Sequence, residues 1–212
     1  MIISMQQSLM RGFTIAELMI ATSVFSVILL AGTATFIDLG HSYYKGVTIT
    51  QTQETAKQII NKVSSDIRLG SAVYPLNTAS GNRYYYCLGS HRYSFTLFKQ
   101  VDYSNHDNST KFGLLEDEPN GGGCGSPFDA PVVALVNPTE LLGNQMRLLA
   151  FSINPVGSTG SIYSVKVTVA SGSDSSLSDP NSPTAQCQGG GSVTQSCAVT
   201  TLSTVVYGGI GI

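Results

Sequence analysis

The chain has 212 residues, a net charge of −2 and only 11% charged residues. Length alone allows one or two domains, and setting aside an apolar N-terminal segment leaves one modest globular domain. So little charge excludes nucleic-acid binding by bulk electrostatics; such a partner is unsupported and would need a local basic patch. Ser, Thr, Asn, Gln and Gly supply the polarity instead, as suits a surface exposed outside the cell.

Residues 11–37, RGFTIAELMIATSVFSVILLAGTATFI, organise the rest. No charged side chain lies between Leu18 and Ile37, a run of about the 20 residues a helix needs to cross a bilayer's hydrocarbon core. Glu17 stands at its start. A carboxylate there costs on the order of 2 kcal/mol or more to insert, and so demands a partner or a function. The plain alternative is a signal anchor that happens to contain a glutamate. A cleaved secretory signal fits worse, because the run is too long and no small-x-small site follows it.

The run Gly12-Phe13-Thr14-Ile15-Ala16-Glu17-Leu18-Met19 resembles the N-terminal signature of the type IV pilin family, which includes the pseudopilins of type II secretion and DNA-uptake machines. The resemblance implies that a prepilin peptidase cuts between Gly12 and Phe13, removes residues 1–12 as a leader, and N-methylates Phe13. It also implies that Glu17 acts in assembly. The partners it implies are other pilin or pseudopilin subunits, an inner-membrane assembly platform and, before assembly, membrane lipid. The leader MIISMQQSLMRG holds a single basic residue, Arg11, where the family usually has several. Physically, a freed amine at Phe13 and the positive end of the helix dipole both favour a carboxylate in the first turn. Glu17 can meet that charge in its own chain or in an axially offset neighbour.

Beyond the apolar run, Ala56, Ile59, Ile60, Val63 and Ile67 recur at helical spacing with Gln58, Asn61, Lys62, Ser64 and Asp66 between them. One helix over residues 13–69 would be about 85 Å long, with residues 13–37 in lipid or filament core and 38–70 an amphipathic stem. Gly70 and Pro75 mark its end. Gly40, Gly46 and the β-branched run Val47-Thr48-Ile49-Thr50 are its weak stretch; pilin-like subunits often melt part of this stem on assembly.

From residue 71 to 212 the period changes to 2. Residues 83–87, 92–99, 132–136, 145–153, 162–170 and 198–206 read as strands, the first two as a hairpin through Gly89 and Ser90. Loops rich in Gly, Pro, Ser, Asn and Asp separate them, with long polar ones at 102–110, 116–128 and 171–193. The fold expected is α+β, a long N-terminal helix packed on an antiparallel sheet. The resemblance implies a pilin-like version of it, closer to the larger minor pilins and minor pseudopilins. Cys87, Cys124, Cys187 and Cys197 all follow the membrane segment. An even count outside the cytoplasm reads as two disulfides, with three pairings open. The short flexible QGGGSVTQS favours Cys187 with Cys197, which leaves Cys87 with Cys124.

Chemistry-bearing patterns are few. His41, His91 and His106 are scattered without metal-ligand spacing, and no nucleophile elbow, P-loop or HExxH run occurs. No metal or cofactor is expected. Glu116-Asp117-Glu118 before Pro119 reads as a solvated turn rather than paired catalytic acids. Asp102, Asp107 and Asn108, or Asp174 and Asp179, offer oxygens for calcium but match no EF-hand loop. Asn108-Ser109-Thr110 fits a glycosylation acceptor. Tyr84, Tyr85 and Tyr86 with Arg83, Arg92 and Tyr93 form the best recognition candidate, against ordinary strand packing as the favoured reading.

The resemblance implies a structural subunit, a minor one, of a pilus or pseudopilus. It would be single-pass in the membrane before assembly, then part of an extracellular or periplasmic filament, and a substrate of an enzyme rather than an enzyme. The competing readings are a membrane-tethered binding or adhesion domain that never polymerises, and an extracellular enzyme on an anchor.

Overall fold

The computed structural model describes residues 12–69, 73–79, 83–103, 113–119, 137–157, 161–188 and 196–209. The chain divides into two compact units, Met1–Ser42 and Tyr43–Ile212. A single helix, α1 (Ile15–Arg68), accounts for the described helical residues of the first and opens the second.

In the first unit α1 is apolar and unburied: Ile15 is 81%, Leu30 71% and Phe36 77% exposed. This helix is long and apolar enough to cross a membrane. Its few hydroxyls are turned inward on the backbone. Thr22 donates to Leu18 O and Met19 O, Ser23 to Ile20 O, Ser26 to Thr22 O, Thr33 to Leu29 O and Leu30 O, and Thr35 to Ala31 O. A polar group in hydrocarbon must find its partner within its own segment, and each of these does.

Helix α1 includes the stretch with weak propensity, Gly40 to Thr50. There Thr48 Oγ1 donates to Tyr44 O and Thr50 Oγ1 to Gly46 O, so the hydroxyls bond along the helix rather than against it. In the second unit its stripe Ala56, Ile59, Ile60, Val63 and Ile67 is buried, as the 3.6-residue spacing requires.

Among the described residues the β structure forms two antiparallel sheets, not one. The first is a meander of β1 (Val73–Ala79), β2 (Arg83–Leu88), β3 (His91–Thr96), β4 (Leu114–Asp117) and β5 (Thr139–Glu140). The second is β6 (Met146–Pro155), β7 (Ile162–Ser171) and β8 (Ala198–Tyr207) in sequence order. The expected strand 92–99 stops at Thr96 because Phe98 turns the chain at φ 67°. Phe98 N–H then donates to Leu148 O and Val101 N–H to Met146 O. Residues 98–101 thus link the sheets through a single bridge, Gln100 with Arg147, in place of a ladder.

Three elements depart from the sequence expectation. Helix α1 ends at Arg68, ahead of Gly70 and Pro75 as expected, but Pro75 itself lies in an unexpected strand, β1, an edge strand whose register shifts between Tyr74 and Asn77; edges and bulges are where a strand tolerates proline. Glu116 and Asp117 belong to β4 and are buried, not in a solvated turn. The reason is that each acid meets a basic side chain there: Arg92 of β3 for Asp117, and Lys62 of α1 with His91 of β3 for Glu116. β5 has only two residues, too few for any alternation. The hairpin through Gly89 and Ser90 is present, with Leu88 opposite His91 and Gly89 at φ 60°, the left-handed backbone a two-residue turn needs.

The main core joins the α1 stripe to both sheets, with Tyr86, Tyr93, Phe95, Leu148, Phe151 and Val167 among its members. Phe151 lies at its aromatic centre, 5.2 Å from Phe95 and 5.5 Å from Tyr86. Tyr84 stacks on Phe95 at 5.5 Å. Arg92, Tyr86 and Tyr93 are therefore interior, and the tyrosine-arginine recognition surface is set aside. A smaller cluster of Leu149, Ala170, Leu177, Ala185 and Cys197 covers the other face of the second sheet. A disulfide joins Cys187 to Cys197 beside it. Cys87 is also disulfide-bonded, while Cys124, strand 132–136, His106, Asp107 and residues 108–110 lie outside the described residues.

Candidate functional site

Among the described residues two places carry chemistry, one in each unit. The first is the start of α1. Gly12 precedes the helix with no atom within 4 Å of where a Cβ would stand, and Phe13 is 79% exposed. Thr14 is the N-cap and Glu17 the third helical residue. Glu17 N–H donates to Thr14 Oγ1 at 3.2 Å, while Glu17 Oε2 accepts from Thr14 Oγ1 at 3.3 Å and Thr14 N–H at 3.4 Å. This is a reciprocal capping box, which satisfies amides the first turn would otherwise leave unpaired. The signal Thr14-x-x-Glu17 ahead of an apolar run stood in the sequence; the role of Thr14 was not drawn from it. Glu17 therefore has a partner in its own chain, although these bonds are long and exposed.

The second is a polar cluster at the edge of the core, assembled by simple periodicities. Lys62 and Asp66 are four residues apart and so share a face of α1. His91 and Tyr93 share a face of β3, and Tyr93 lies opposite Glu116 of β4. Lys62 Nζ is 2.9 Å from Glu116 Oε1, and His91 Nδ1 is 3.0 Å from the same oxygen and 3.7 Å from Glu118 Oε1. Tyr93 donates its hydroxyl to Asp66 Oδ2. Burial above all, and then Asp66, push the Tyr93 hydroxyl far above its ordinary range, so it remains a donor. The bond to Glu116 raises Lys62 and outweighs the opposing effect of burial. A cleft of about 290 Å³ opens beside Glu116, Glu118, Asn137 and Thr139.

On the opposite face of the same strands, Arg92 grips Asp117 with two bonds, Nε to Oδ1 at 2.9 Å and Nη2 to Oδ2 at 2.5 Å, both side chains fully buried. This pair is structural. Glu140 accepts from the amides of Gly113 and Leu114 at 2.9 Å and of Leu142 at 3.0 Å. Burial nevertheless raises its pKa to about 7 against those bonds.

Other residues singled out by sequence are not gathered. Asp174 pairs with Arg147 Nη2 at 2.5 Å, and Asp179 accepts from Asn181 N–H within its own turn. His41 is exposed on α1. Sequence spacing did not connect His91 with Asp66 and Glu116, because each comes from a different element.

No protein-family model, curated protein or solved structure matches the chain.

Proposed function

We propose that the chain is a prepilin, cut after Gly12 and assembled through α1 into a type IV pilus or pseudopilus as a minor structural subunit. The observation that carries this reading is Gly12-Phe13-Thr14 leading directly into an exposed apolar helix with Glu17 in its first turn. Before cleavage Glu17 caps its own helix. After it, the new Phe13 amine of an axially offset neighbour offers the Glu17 carboxylate a full positive charge in place of long bonds to uncharged donors, and so a Coulomb attraction those bonds lack. The capping box is thus a holding position that assembly replaces. The peptidase, other subunits, the assembly platform and membrane lipid are the partners this reading requires.

The capping box also favours a second reading, in which Glu17 only starts the helix of a membrane-tethered domain that does not polymerise. Absence of the wild type from filaments would favour that second reading; where the wild type is incorporated, substitution isolates the charge of Glu17, because glutamine keeps the cap and loses the charge. In a filament-incorporation assay, Glu17→Gln should be excluded almost as fully as Glu17→Ala. Normal incorporation of Glu17→Gln would leave capping as the residue's whole role.

A further inference from the structure

We propose that Asp66, His91 and Glu116 form a binding site for a divalent transition-metal cation of the zinc type, which ties α1 to β3 and β4. One oxygen of Asp66, one oxygen of Glu116 and a ring nitrogen of His91 all lie within 4.8 Å of one another. A tetrahedral zinc site with bonds of about 2.0 to 2.1 Å has ligand edges near 3.4 Å. The His91 Nδ1 to Glu116 Oε1 separation is 3.0 Å and that to Glu118 Oε1 is 3.7 Å. A spread of up to 4.8 Å closes to that edge length by small side-chain movements, and Glu118 can supply a fourth ligand.

Three further observations point to a cation. The His91 Nδ1 atom is buried although the side chain is 24% exposed, and among the described residues it has no well-directed hydrogen bond, only the close carboxylate oxygens of Glu116 and Glu118. Asp66, Glu116 and Glu118 set three carboxylates against one ammonium, Lys62, since Asp117 is taken up by Arg92. The Tyr93 hydroxyl holds Asp66 from behind, the outer support that metal-binding carboxylates receive. A donor set of one imidazole and several carboxylates suits zinc and its neighbours rather than the all-oxygen cage magnesium or calcium prefers. Glu116 and Glu118 border the cleft, which gives a cation its entry. The Lys62 side chain, 44% exposed, marks where positive charge already sits and can swing into solvent.

The test is calorimetric titration of the detergent-solubilised, tag-free full chain with zinc chloride, with calcium and magnesium chloride as comparators. One equivalent of zinc should bind, and His91→Ala and Glu116→Gln should each weaken it by at least about tenfold. His41→Ala/His106→Ala should leave it unchanged. Lys62→Met is the decisive variant. It removes a competing charge and no ligand, so zinc should bind several-fold more tightly, whereas a purely structural Lys62–Glu116 bridge predicts no gain. Zinc should also raise the Tm of the wild type and not of His91→Ala. Should the His91 variant fail to fold, Asp66→Asn and Lys62→Met carry the comparison. Absence of zinc binding, binding indifferent to His91 and Glu116, or binding by Lys62→Met no tighter than the wild type's would overturn the proposal.

Discussion

Replacing Arg92 by methionine tests whether the interior of the first sheet is organised as described. Methionine keeps the length and apolar stem of the side chain and removes both bonds to Asp117. The side chains of Arg92 and Asp117 are fully buried, and each makes further interactions. The Asp117 carboxylate is then left without its guanidinium in a medium that cannot solvate it. Breaking one side of a buried pair costs roughly 3 to 5 kcal/mol. At about 2 to 4 °C per kcal/mol for a chain of this size, that is a Tm loss of roughly 6 to 20 °C. A thermal melt of the detergent-solubilised chain reads it directly. The double substitution Arg92→Met/Asp117→Leu should recover part of the loss, because it removes the stranded charge. A loss under about 1 kcal/mol for Arg92→Met, the range of an exposed pair, would refute the buried-pair account.

Other consequences follow from single contacts. Glu140 has a pKa of about 7 in the folded chain against a reference of 4.5, so the folded state holds the proton more tightly. The associated stability, about 3 kcal/mol, is full below about pH 4.5 and lost as pH rises through about 7. Urea unfolding of Glu140→Gln should lack that decline, and parallel pH profiles for variant and wild type would contradict the burial-driven shift. At Gly113 a Cβ would clash with Leu142 Cδ1 and stand 2.6 Å from Val101 Cγ2. Gly113→Ala should therefore cost about 1 to 3 kcal/mol, measured by the same unfolding curve. Replacing Cys187 and Cys197 with serine opens a loop spanning a sequence separation of 10, and should cost about 2 to 3 kcal/mol, read as a lower Tm; reductant should lower the wild type at least as far, since it also opens the disulfide of Cys87.

What the sequence made legible is what depends on local pattern. The apolar run of α1, its buried stripe from Ala56 to Ile67, and the alternation in β2, β3, β6, β7 and β8 each show in residues near one another. What it hid depends on partners far away. Three consecutive acids look like a turn until Arg92, 25 residues earlier, supplies a buried counter-charge to Asp117. Pro75 reads as a breaker until β1 is known to be an edge. Alternation identifies strands but not their neighbours, so the division into two sheets, which falls between β5 and β6, had no local signature. Asp66, His91 and Glu116 meet only because α1, β3 and β4 do. The capping box differs, because Thr14 and Glu17 are local and their spacing alone states the interaction.

The central claim rests on what happens at the bond between Gly12 and Phe13. The chain should be co-expressed with a prepilin peptidase and the mature N-terminus read by intact mass, with a known prepilin processed in the same cells. A product that lacks residues 1–12 and begins at N-methylated Phe13 is the predicted result. A full-length product beside a correctly cut control would contradict the account and leave a membrane-tethered domain in its place.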